Sequence, residues 1–233
     1  SIFNARNDRK NSIDLSKVYV QMKLSVIQSA EMMDEIVPRI STFANTQNKV
    51  QIADFSANDP FHRRIEELSR TIWAPTQGGL KPRNWFYERA RGQYADMLSR
   101  ETTTRRKKDY KEEHPLFTKT DLAKCENTWD QLPYWVSEGA QKNFNRFMLR
   151  LKEHRSFVPD EKYYHNLIAK MILFRQTEKL VQKQQYGGYR ANIVTYTLAF
   201  LSYKTAQKID LERIWKEQSL TRALEWEIVE ISR

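Results

Sequence analysis

The sequence predicts an α+β fold, predominantly helical, with a small mixed region of one or two strands followed by an all-helical region. Three observations predict it. Residues 17–27 alternate apolar and polar side chains with a period of two, the signature of a half-buried strand. From residue 118 onward the apolar period is helical throughout. Only six glycines and seven prolines occur in 233 residues, too few punctuating residues for a sandwich of many short strands.

In the predicted strand, Val18, Val20, Met22, Leu24 and Val26 share one face, and Tyr19, Gln21, Lys23 and Ser25 the other. A helix is expected over 34–46, with Ile36, Val37, Ile40, Phe43 and Ala44 on its buried stripe. Pro38 is tolerated there because the first amides of a helix have no internal acceptor. Asp59-Pro60 opens the next helix, the carboxylate as N-cap and the proline as first helical residue. Phe61, Ile65, Leu68 and Ile72 form its stripe. Pro75, Gly78, Gly79 and Pro82 mark 73–82 as a loop. Residues 83–91 alternate aromatic and polar side chains, a second strand, and 92–99 turn helical. Residues 102–113 are dense in charge, include Arg105-Arg106-Lys107-Lys108, and read as an exposed connection. The expected organisation is a mixed region over 1–99, a charged connection over 100–117 and a helical region over 118–233.

Within the helical region Thr118 caps a helix, with Asp121 as the acidic third residue, and Pro133 ends it. A helix over 137–153 turns Phe144, Phe147, Met148 and Leu151 inward; another over 160–183 turns in Tyr164, Leu167, Ile168, Met171, Phe174 and Val181. Gly187-Gly188 breaks it. Further helices carry Ile193, Thr197 and Leu201, then Ile214, then Leu220, Leu224, Ile228 and Ile231.

Forty per cent hydrophobic and twelve per cent aromatic content places the chain among globular proteins. The formal net charge of +10 directs attention to a polyanion partner, nucleic acid or an acidic protein face. Cys125 is the single cysteine, which excludes an internal disulfide and a thiolate metal cage and fits a reducing cytoplasm. No apolar run approaches the roughly twenty residues that cross a bilayer, so no membrane partner is expected. The chain opens directly into Ile2-Phe3-Asn4-Ala5-Arg6, which reads as mid-helix, and a fragment lacking its N-terminal part is the expectation.

A search for catalytic motifs is negative. There is no phosphate loop of the G-x-x-x-x-G-K-[ST] form and no H-E-x-x-H. His62, His114, His154 and His165 are scattered without metal spacing, so neither a metal nor a cofactor is indicated. Arg150 and His154 stand one turn apart, as exposed helical pairs commonly do. Asp160 and Glu161 after Pro159 read as the acidic start of a helix. Cys125 reads as a buried structural thiol.

Two polar segments exceed what folding requires. Asn45, Gln47, Asn48 and Lys49 gather amides and a cation at a helix end, although one asparagine is explained as a cap. His62, Arg63 and Arg64 follow at the opening of the next helix, where cations oppose the helix dipole unless an anion lies near. Asp54, Glu66 or Glu67 would satisfy that need internally; a phosphate would satisfy it from outside. Trp85, Arg89 and Arg91 add the aromatic and guanidinium mixture that stacks bases and clamps phosphates.

On these segments the chain resembles the AIPR family, the abortive infection phage resistance proteins. The resemblance rests on residues 17–26, 43–50, Asp59-Pro60-Phe61-His62-Arg63, 85–94, 118–124, 136–144, 187–192 and Ile214-Trp215-Lys216-Glu217-Gln218. The Asn-Gly-x-Gln-Thr segment typical of that family is missing before residue 1. The resemblance implies a cytoplasmic antiphage protein, expected to bind nucleic acid or a nucleotide through the amide- and arginine-rich residues above. One alternative is a nuclease or nucleotide-consuming toxin completed by preceding residues. The other is a module that binds a phage component or forms a homo-oligomer, with an exposed apolar face including Trp215 and Trp226.

Overall fold

The computed structural model describes Tyr19 and residues 56–75, 82–153, 157–184 and 186–233. The chain divides into two compact units, Ser1–Ala44 and Asn45–Arg233. All the elements below belong to the second. The strand expected over 17–27 and the helix over 34–46 lie outside the described residues, apart from an exposed Tyr19.

The described residues form ten α-helices and a two-stranded sheet, the α+β, mostly helical class that the sequence predicts. Helix α1, Pro60–Thr71, begins as expected: the Asp59 side chain accepts the amide of Phe61 at 3.0 Å and Pro60 stands first in the helix. Its buried stripe is Phe61, Ile65 and Leu68. Strand β1 is shorter than the alternation suggests, only Phe86–Glu88. Its growth stops where Arg89 and Ala90 bend and Gly92 takes a φ of 93°, which opens helix α2, Gln93–Ser99.

The charged stretch is itself a helix, α3, Thr104–Glu113, capped by the Thr103 hydroxyl accepting from the Arg106 amide. None of its residues is buried. It leads into strand β2, Leu116–Thr118, which pairs with β1 in parallel, Tyr87 opposite Phe117. A parallel pair needs a long crossover, and α2 with α3 supplies it. A run as short as Leu116-Phe117-Thr118 carries no alternation from which that pairing could be read. Both Tyr87 and Phe117 are fully buried, their rings 5.0 Å apart. Each such side chain contributes about 1.5–3 kcal/mol through the apolar area it removes from water.

Thr118 ends β2 and caps α4, Lys119–Trp129, in a full capping box with Asp121. Pro133, expected to end that helix, instead opens a short helix of its own, α5, Pro133–Ser137. The helix predicted over 137–153 starts three residues later, as α6, Ala140–Glu153, after Gly139 with φ of 102°. Helix α7, Glu161–Gln182, starts at the Asp160 cap and is the centre of the assembly. It packs on α4, on α8 (Arg190–Lys204), on α9 (Leu211–Glu217) and on α10 (Arg222–Ser232). Its ten buried residues include Tyr164, Leu167, Ile168 and Phe174. One apolar cluster runs from Phe61 in α1 through Phe117 to Ile228 in α10. No helix among the described residues is long and apolar enough to cross a membrane.

Candidate functional site

Asn45, Gln47, Asn48 and Lys49 lie outside the described residues. The other six candidates separate into buried and surface groups. His62 is fully buried on α1, its ring between Tyr87 and Phe144. Nε2 lies 3.3 Å from the Met148 sulfur, and Nδ1 lies 2.6 Å from the Tyr87 hydroxyl. Burial, helped by the charges of Lys119 and Arg89, pulls its pKa down to about 3, so it is a neutral core histidine at physiological pH. Trp85 is buried too. Its indole N–H donates to Oε1 of Gln218 at 2.9 Å, and the Arg175 guanidinium lies 4.8 Å from its ring. Neither His62 nor Trp85 offers a face to solvent.

Arg89 is brought to α1, where its Nε meets the Glu66 carboxylate at 2.5 Å. The same carboxylate accepts from Gln93 at 2.8 Å and pairs with Arg70 at 3.5 Å. Gln93 completes the knot, its Oε1 accepting the amides of Arg89 and Ala90. The helix-start cation Arg64 pairs with Glu67 at 3.0 Å and donates to the Pro159 carbonyl. These are internal partners for cations that the sequence leaves open to an external anion. Arg63 and Arg91 are exposed.

The feature that sequence reasoning missed is a groove of about 410 Å³ beside this knot. Arg70, Asn84 and Gln93 line it, with Arg100 at the end of α2 and Tyr110 and His114 at the end of α3. Arg70 lies across the Phe86 ring at 3.7 Å and donates to the Tyr87 carbonyl at 3.1 Å. Burial lowers its pKa from the usual arginine value, and Glu66 opposes that effect. His114 is held against Asn84 and against the ring of Tyr110, with the half-exposed Trp73 edge-on to it. From this groove α3 runs out along Lys108, Lys107, Arg106 and Arg105, all exposed. Four consecutive cations in the first turns of a helix oppose its dipole. The signal available in the sequence is that run, which by composition alone reads as a connection.

A second hollow, of about 590 Å³, lies between Asp59 and α6 over Phe144, Met148 and Leu149. Lys152 is the cation among its described lining residues, which suits an apolar occupant better than a polyanion. Among the described residues no group of three His, Cys, Asp or Glu side chains could hold a metal ion. Cys125 is buried, and burial pushes its thiol well above the ordinary value.

Neither the curated proteins nor the solved structures contain a match to this chain. The family model described as AIPR protein matches residues 1–233, the expected family and the full length of the chain. The chain therefore belongs to the AIPR family, and with it to the proteins of abortive infection and phage resistance.

Proposed function

We propose that this antiphage protein binds nucleic acid across α3 and the groove at its C-terminal end. The observation that carries the reading is helix α3 itself. It has no buried residue, so core packing does not account for Arg105, Arg106, Lys107 and Lys108. Arg100 and Arg70 place guanidinium groups in the groove, which Glu66 and Asp96 also line, and Tyr110, His114 and Trp73 supply rings against which a base can stack. The cations position a phosphate backbone. The net charge of +10 favours encounter with any polyanion.

The test is a fluorescence titration of labelled single- and double-stranded oligonucleotides at several salt concentrations. Affinity is expected to fall linearly on a logarithmic salt axis. Replacing Arg105, Arg106, Lys107 and Lys108 together by alanine should flatten that slope by roughly 0.7–0.9 for every phosphate that is no longer neutralised. An undetectable affinity, or a slope indifferent to the replacement, ends the proposal.

A further inference from the structure

Helix α8 carries no charged residue from Ala191 to Tyr203, and so resembles a helix buried on all sides. Yet only one side of it is covered. Val194, Leu198 and Leu201 enter the core, while Tyr196, Phe200 and Tyr203 stand exposed, and Tyr189 precedes them in the short turn Gly187–Tyr189. With the half-buried Ile193 these residues are spaced four, three, four and three apart, a single stripe along the helix.

We propose that this stripe is the contact of a twofold-symmetric homodimer, α8 packing antiparallel on α8 of a second copy. Three properties single out a second copy as the occupant. The outer pair is equidistant from Tyr196: Tyr189 lies seven residues before it and Tyr203 seven after, so a twofold axis there sets Tyr189 against Tyr203 of the other copy, while Ile193, three before, and Phe200, four after, fall between opposing side chains. Symmetric self-pairing is the commonest mode of association. The area is sufficient. The four aromatics are between 49% and 75% exposed. At about 200 Å² per whole side chain they present about 500 Å² per copy, hence about 1,000 Å² for two, the least that a specific interface needs.

The charges at the two ends also fit. Lys204 is already paired with Glu227 at 2.5 Å. Arg190, at the start of the helix, then meets the carbonyl end of the opposing α8, where a cation is favoured. An acidic or basic protein partner would find no charge along the middle of the stripe to recognise. Trp215, a tryptophan expected on such a face, is buried and stacked on His165 at 4.5 Å, so it takes no part.

Sedimentation equilibrium of the 233-residue chain tests this directly. A species of twice 27.8 kDa is expected at micromolar concentration. Phe200→Glu should weaken association at least tenfold while the circular dichroism stays helical. A second variant does not depend on that folding. Tyr196→Cys lies on the proposed axis, and the native Cys125 is buried and does not compete, so mild oxidation should link two copies. A wild type that stays at 27.8 kDa overturns the proposal. So does a dimer that Phe200→Glu leaves intact, or a Tyr196→Cys variant that forms no disulfide-linked dimer.

Discussion

The Tyr87 hydroxyl lies 2.6 Å from Nδ1 of His62, and both side chains are sealed from water. A methionine sulfur has no proton to give, so the contact of Nε2 with Met148 requires the proton on Nε2. Nδ1 then accepts from the tyrosine. This bond joins α1 to β1, and in this direction, tyrosine donating, it holds only while the imidazole is neutral. The buried tyrosine is correspondingly held well above its ordinary pKa, mainly by burial.

Acid should therefore destabilise the fold through His62. Its folded pKa, about 3, lies below the ordinary value of 6.5, so the unfolded chain binds the proton more readily between the two. The stabilisation is complete above 6.5 and diminishes as the pH falls from there through about 3. The contribution of this one group falls by at most about 1.4 kcal/mol per pH unit. Urea unfolding at about pH 7 and about pH 5 should show a smaller drop for His62→Gln than for the wild type. Equal drops would place the acid sensitivity elsewhere.

Arg89 and the α3 cations should separate cleanly. Arg89→Ala strips the Glu66 carboxylate of its closest partner in a setting where both side chains are about one-fifth exposed. Gln93 and Arg70 remain, so a drop of about 2 kcal/mol in stability is expected rather than the larger cost of a fully orphaned charge. The quadruple alanine variant of Arg105, Arg106, Lys107 and Lys108 should shift stability by about 0.5 kcal/mol or less. It should lower nucleic-acid affinity instead. Thermal melts and oligonucleotide titrations of both variants decide it; the opposite pattern would move the binding surface to Arg89.

Thr118 finishes β2 and caps α4, so one side chain secures a strand end and a helix start. Thr118→Ala should cost about 1 kcal/mol, whereas Thr118→Ser should retain most of the stability through its own hydroxyl. Denaturant midpoints measure this. An alanine variant as stable as the wild type would show that the capping box contributes nothing here.

The helix starts were legible because their cause is local. Asp59-Pro60, Thr118 with Asp121, and Asp160 each satisfy orphan amides within three residues, so sequence spacing alone specifies them. The inward residues of α1, α6 and α7 were legible for a similar reason: the helical period dictates which side chains share a face. The expected family was legible as well, from segments spread along the whole chain.

What tertiary structure alone decided is which polar residues already had partners. His62, Trp85 and Arg89 have the composition of a binding site, yet Tyr87, Gln218 and Glu66 claim them from 25, 133 and 23 residues away. Such partners are chosen by chain crossing, which no local pattern encodes. The same holds for the parallel pairing of β1 with β2 and for the groove that brings Arg70, Arg100 and His114 together. Local chemistry set where helices begin and which way they face; long-range packing set which charges remained at the surface.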